Sequence, residues 1–161
     1  MTTAIIYDTN HGTTEKITKI ISEKLAKHNQ KTEIMNVNTI KNSNLDKYQR
    51  IIIGSSIHVG QIQESIKKFC ENNYEILMEK ELGLFICCMH EAREKEQLNN
   101  AYNKKLMKKA KVKEVLGGEF IFEKMNFFEK IIIRIITKNK KSKSNIKTNV
   151  IDKFVEKLVD I

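Results

Sequence analysis

Three short polar segments hold most of the residues able to do chemistry. The first, Asp8-Thr9-Asn10-His11-Gly12-Thr13-Thr14, is a turn dense in hydroxyls and amides that ends where a helical pattern begins. It contains no lysine, so it is not a Walker A loop, and it lacks the G-x-G-x-x-G spacing of a dinucleotide fingerprint. It can offer backbone N–H groups, three threonine hydroxyls and the positive end of a helix, a set suited to a phosphate monoester. Gly12 would let the turn curl around an anion. The same residues would equally make a plain helix cap, with Thr13 or Thr14 as N-cap.

The second segment, Ser55-Ser56-Ile57-His58-Val59-Gly60, follows an apolar run and has small residues at its ends. Ile57, His58 and Val59 would project between them, an arrangement that can flank a flat aromatic ligand. His58 is a candidate proton donor or hydrogen-bond partner there; its plain alternative is an exposed loop histidine. The third segment, Cys87-Cys88-Met89-His90-Glu91, offers soft contacts from Cys88 and Met89 beside a polar rim with His90. Arg93 is a candidate for binding a substrate carboxylate through its fork of donors, against the commoner role of an exposed helix arginine. No nucleophile stands beside a base and an orienting group, so acyl and phosphoryl transfer lack their parts. Cys70, Cys87 and Cys88 form no C-x-x-C spacing and are expected as reduced thiols.

These segments need a scaffold, and short apolar runs alternating with helical periods predict one. The pattern is that of a parallel sheet covered by helices on both faces. Strands are expected at Thr3–Tyr7, Lys31–Asn36, Arg50–Gly54, Leu82–Cys88 and Val115–Phe122. The first, third and fourth are continuous apolar runs of the kind buried on both faces. Helices are expected at Thr14–His28, Gln61–Cys70, Arg93–Ala110 and Asn149–Val159, with a short one within Val37–Tyr48. In a doubly wound sheet, ligands bind beyond the carboxyl ends of the strands where strand order reverses, and the three polar segments follow the first, third and fourth strands.

Composition narrows the field. The chain has 161 residues, 40% of them hydrophobic and 30% charged, which predicts a single domain. No apolar run approaches the ~20 residues of a membrane-spanning helix. The N-terminus has neither a basic region nor a long apolar stretch, so a cytoplasmic protein is expected. Lysine, isoleucine and asparagine are so abundant that lysine count alone says little, yet the net charge of +9 is unevenly placed. Between Lys124 and Asn149 eight basic residues face only Glu129, giving +7 and leaving the rest of the chain almost neutral. Within this stretch Phe127, Phe128, Ile131, Ile132, Ile135 and Ile136 would cover about half of a helical wheel. Such a helix belongs on the domain's core, in a homodimer interface, or at an anionic lipid surface that the lysine-rich run 138–147 would attract. That run is expected as a mobile loop. Nucleic acid is disfavoured, because the run has no interleaved aromatics and no nucleic-acid module fits an alternating α/β pattern.

The residues YDTNHGTTE at 7–15 resemble the phosphate loop of flavodoxins, hydroxyl-x-[ST]-G-x-T, with Thr9, His11, Gly12 and Thr14 on the pattern and His11 in place of a hydroxyl residue. The resemblance implies a flavodoxin-like three-layer sandwich, α/β, with a five-stranded parallel sheet of order 2-1-3-4-5 and bound FMN. Thr9, Asn10, His11, Gly12, Thr13 and Thr14 would hold the phosphate; Ser55, Ser56, Ile57, His58, Val59 and Gly60, with Cys88, Met89 and His90, would flank the ring. The segment GSSIHVG at 54–60, the Ala92-Arg93 step, Gly117-Gly118 and the aromatic, basic stretch FFEKIIIRII at 127–136 are similar to the menaquinone-dependent protoporphyrinogen oxidase branch. That likeness implies oxidation of protoporphyrinogen IX or a similar reduced substrate, with electrons passed to a quinone at the inner face of the cell membrane. The stretch 124–147 then reads as an insertion before the last helix, separable from FMN binding. Departures are plain: there is no tryptophan to stack on a flavin, and the chain is basic where electron-carrier flavodoxins are acidic. An electron-transfer flavodoxin serving an acidic protein partner, and a non-enzymatic interaction module, are the alternatives.

Overall fold

The computed structural model describes residues 1–40, 44–137 and 142–160. In chain order its elements are β1 (Thr2–Asp8), α1 (Thr13–Lys27), β2 (Lys31–Asn36), β3 (Arg50–His58), β4 (Gln61–Ile62), α2 (Glu64–Asn72), α3 (Tyr74–Glu79), β5 (Glu81–Cys87), α4 (Glu94–Ala101), α5 (Lys104–Lys109), β6 (Val112–Val115), β7 (Gly117–Phe120), α6 (Phe127–Thr137), β8 (Lys143–Ile146) and α7 (Thr148–Val159). Five strands pair in parallel in the order β2-β1-β3-β5-β6, which is 2-1-3-4-5 once the short antiparallel β4 is set aside. The fold class expected from the sequence is the one observed.

Alternation along the strands divides the core into two layers. Ile5, Ile52 and Phe85 face α1 and α7, where Ile17, Ile21, Leu25, Ile151, Phe154 and Leu158 are buried against them. Ile6, Ile51, Ile53 and Leu84 face the other way, toward Ile66 and Phe69 of α2, Leu77 of α3 and Leu106 of α5. Cys87 belongs to the first layer and Cys88 to the second, as their adjacency on a strand end requires.

Several boundaries differ from expectation. The fifth parallel strand is Val112–Val115, while half of the stretch expected as that strand forms β7, which pairs antiparallel with β8 in a separate ribbon. Gly117 makes this departure from the sheet: its φ is +82°, and a Cβ there would lie 1.9 Å from the Asn145 carbonyl oxygen. Residues 143–146 are therefore a strand where the sequence predicts a mobile loop; residues 138–141 of that run lie outside the described residues. Gln61 and Ile62 are not the start of a helix. They fold back on β3 with Ile57 opposite Ile62 and His58 opposite Gln61, so the helix begins at Glu64.

The long helix expected at Arg93–Ala110 is broken in two. The Tyr102 hydroxyl reaches into the sheet to the carbonyls of Phe85 (2.7 Å) and Ile53 (3.3 Å), and Asn103 caps the next helix through the Lys105 N–H at 2.8 Å. Val37–Thr39 and Leu45–Lys47 are single 3-10 turns rather than a second helix. Among the described residues, no helix is long and apolar enough to cross a membrane.

Candidate functional site

Parallel register delivers the three polar segments to one edge. Asp8 at the end of β1 lies opposite Ser55, and Ser56 lies opposite Cys87. The turns after β1, β3 and β5 thus leave the sheet side by side, with the reversal of strand order between β1 and β3.

The first turn is organised by its own side chains. Asp8 accepts the Thr9 N–H at 2.7 Å and the Ser65 hydroxyl, and Thr9 Oγ1 accepts the Gly12 N–H at 2.9 Å. Gly12, at φ +93°, is the N-cap of α1, and no side chain caps that helix. The plain-cap alternative with Thr13 or Thr14 is therefore not what the structure adopts. The first-turn N–H groups of α1 are left for a partner from outside, which is the electrostatic condition for an anion site. Thr14 Oγ1 is fully buried and makes no hydrogen bond of ordinary geometry; the Cys87 thiol is its polar neighbour. An uncapped helix end, a left-handed glycine and an orphaned hydroxyl fit a phosphate group.

The second segment is a hairpin tip. Val59 and Gly60 are its two central residues, both at positive φ (+50° and +78°), the sign a tight two-residue hairpin uses. For a β-branched residue this conformation is strained, and the Val59 side chain is 87% exposed at the tip. Asn10, His58, Val59 and Gln63 line a cavity of about 420 Å³ between the first turn and this hairpin. Gln63, which sequence reasoning missed, joins the two: its carboxamide lies 2.8 Å from that of Asn10, and its N–H donates to Ser55 Oγ at 3.1 Å. Ser65 is a further missed residue and carried no signal; Asp8 stood in the candidate turn without a role of its own.

The third segment is held more firmly. Cys88 Sγ accepts the His90 N–H at 3.3 Å and contacts the Gln97 amide, and Met89 packs against Gly118. Burial pushes the Cys70 and Cys87 thiols up to about 12 and raises that of Cys88, so none of them is a ready thiolate. Arg93 is exposed and forks onto Glu96 of its own helix at 3.0 and 3.1 Å. His58 stands at the exposed rim of the cavity shared with Asn10. The structure thus brings Asn10, His58 and Val59 to one cavity, while 88–90 follow the neighbouring strand β5 and Arg93 is turned to a local partner.

The segment after β7 reaches back to the first turn. Asn126 and Glu129 form a reciprocal capping box at the start of α6, with Asn126 N–H to Glu129 Oε2 at 3.0 Å and Glu129 N–H to Asn126 Oδ1 at 2.9 Å. The other Glu129 oxygen lies 3.3 Å from His11 Nε2. Glu119 on β7, only 8% exposed, accepts from Lys16 at 2.7 Å and from Ser144 at 2.8 Å, tying the ribbon to α1. The apolar face of α6 is not folded onto the core: Phe127, Phe128, Ile132 and Ile135 are 71%, 75%, 52% and 74% exposed.

A doubly wound sheet with an uncapped anion turn at its point of strand reversal defines a flavodoxin-like α/β protein. The flavodoxin domain family matches residues 4–147, and the chain belongs to that family. It is 19% identical over 144 residues to protoporphyrinogen IX dehydrogenase [quinone] of Escherichia coli strain K12, covering 86% of this chain and 80% of that one. Among solved structures, flavodoxin 1 of Bacillus cereus superposes with a TM-score of 0.60 at 14% identity over 99% and 98% of the two chains. Rubredoxin oxygen:oxidoreductase of Desulfovibrio gigas superposes with a TM-score of 0.66 at 11% identity, and this chain spans about a third (35%) of its length. The structural likenesses carry the fold.

Proposed function

We propose that the protein is an FMN-dependent oxidoreductase that takes electrons from a reduced substrate of the protoporphyrinogen IX type and delivers them to a membrane quinone such as menaquinone. Bound FMN would supply one- and two-electron chemistry; the chain binds, orients and shields it. Residues 9–14 hold the phosphate through the uncapped start of α1 and the threonine hydroxyls. Ser55–Gly60 and Cys88–His90 flank the ring, with Val59 at the hairpin tip as an apolar contact and His58 at the rim as a hydrogen-bond or proton partner. Arg93 reaches a substrate carboxylate only by leaving Glu96. The chain acts as one domain, 1–161, with 124–147 inserted between the fifth parallel strand and α7.

The exposed face of α6 carries the membrane part of this reading. Phe127, Phe128, Ile132 and Ile135 stand in solvent on a helix whose neighbouring sequence holds most of the chain's net positive charge. Apolar side chains above a basic stretch suit a peripheral contact with an anionic bilayer, where a quinone is found. The 19% identity to a quinone-linked dehydrogenase across most of both chains supports the same assignment.

The test uses the FMN-loaded chain, protoporphyrinogen IX and vesicles of anionic lipid with or without menaquinone, reading porphyrin fluorescence and co-sedimentation. Oxidation is expected to need the quinone vesicles and to fall about tenfold or more in Phe128→Asp, with FMN still bound. Vesicle-independent electron transfer, unchanged in Phe128→Asp, would favour the second reading, an electron-transfer flavodoxin whose basic segment meets an acidic protein partner.

A further inference from the structure

The surroundings of the first turn are acidic. Asp8, Glu15, Glu119 and Glu129 all lie on or beside it, and a phosphate bound there would face them with only the helix end and neutral hydroxyls in support. Three of these carboxylates are already matched: Glu119 by Lys16 at 2.7 Å, Glu15 by Lys19 at 2.6 Å, and Glu129 by His11 and its own helix cap. Asp8 is satisfied by neutral donors, Thr9 N–H and Ser65.

One lysine at the turn stands apart from these pairs. Lys124, from the start of the inserted segment, carries its Nζ to 3.3 Å from where a Cβ on Gly12 would sit, so the ammonium lies against the open side of the glycine. No carboxylate among the described residues lies within ion-pair distance of it. Its charge is still felt there. Burial would raise the Glu119 carboxyl, but Lys16 and Ser144 hold it below the usual range and Lys124 adds a smaller pull; Glu15, lowered by its Lys19 hydrogen bond, receives a smaller pull from Lys124 as well.

We propose that Lys124 is the counter-cation of the phosphate held on residues 9–14, so that the inserted segment completes the cofactor site rather than merely adjoining it. The inference rests on the FMN reading above, and it replaces the expectation that 124–147 is separable from FMN binding. An ammonium beside the left-handed glycine that opens an uncapped helix gives a dianion the charge-assisted contact that the turn itself lacks. The insertion's other tie to the turn, Glu129 to His11, fixes the start of α6 and with it the reach of Lys124.

Titration of flavin fluorescence with the full-length chain tests this, using FMN and riboflavin, which differ only in the phosphate. Lys124→Met is expected to weaken FMN about tenfold while leaving riboflavin within twofold, and Lys124→Arg to keep most of the affinity. Added salt should weaken FMN binding to the wild type more than to Lys124→Met. Lys108→Met, on α5, serves as the charge control. If Lys124→Met binds FMN as tightly as the wild type, or loses FMN and riboflavin alike, the assignment of Lys124 is overturned and the FMN reading stands. If the wild type binds neither flavin, or both equally, the phosphate site itself falls and Lys124 with it.

Discussion

Two helices of this chain carry nearly the same apolar pattern and meet opposite fates. On α7, Ile151, Phe154, Val155 and Leu158 are buried against the sheet, whereas on α6, Phe127, Phe128, Ile132 and Ile135 stand in solvent. Propensity and amphipathicity do not separate them. What separates them is delivery: α7 follows directly on β8, where the Lys147 N–H bonds the Leu116 carbonyl and the chain is led back over the sheet. The start of α6 is held beside the turn after β1 by Asn126, Glu129 and His11. One stripe builds the core and the other is left exposed.

Breaking that comparison is easiest at α7. Phe154 packs edge-on against Phe85, ring centroids 6.1 Å apart, in the layer that also buries Leu158. Phe154→Ala is expected to lower the free energy of unfolding by about 3–5 kcal/mol, because a large void opens in a layer that cannot collapse around it. Urea denaturation measures it. A loss below about 1 kcal/mol would mean that α7 is no more committed to the core than α6.

A smaller effect is expected at the ribbon that carries the chain from one helix to the other. Glu119 keeps its carboxyl below the usual range because Lys16 and Ser144 outweigh its burial. With the folded value depressed, its contribution to stability is present above the unfolded glutamate value, about 4.3, and is lost as pH falls through the folded one. Glu119→Gln should therefore cost about 1–2 kcal/mol at pH 6 and progressively less below pH 4. A pH-independent difference in urea unfolding would show that the ion pair with Lys16 is not what holds β7 to α1.

Much of this architecture was legible in the residues. The isoleucine runs at 4–7 and 50–54 announce strands buried on both faces, and the hydroxyl-rich turn after the first of them marks the site, because continuous apolar runs and polar strand ends leave few alternatives. The fifth strand was misplaced for a physical reason: VKEV at 112–115 is a short edge strand with one buried valine on each face and two polar residues between them, while the more apolar residues after it are turned off the sheet at Gly117. The cleft's cross-links were illegible. Gln63 to Asn10 and Lys124 to Gly12 join residues 53 and 112 positions apart, and neither carries a local signal. By contrast, Asn126-x-x-Glu129 is a capping box readable from spacing alone, and it sets where α6 begins.

The smallest expected effect is the most informative about α6. If its apolar face has no partner within the chain, placing a charge there removes no burial, and Phe128→Asp should leave the free energy of unfolding within about 0.5 kcal/mol of the wild type. The same change on a helix packed into the core would bury an unpaired carboxylate and cost several kcal/mol. Urea unfolding at two protein concentrations, tenfold apart, separates the remaining cases. A wild-type midpoint that rises with concentration, and stops doing so in Phe128→Asp, means the face is covered by a second copy of the chain. A midpoint independent of concentration in both leaves the face exposed in water, where burying a single phenylalanine in an acyl layer contributes roughly 1.5–3 kcal/mol toward a membrane.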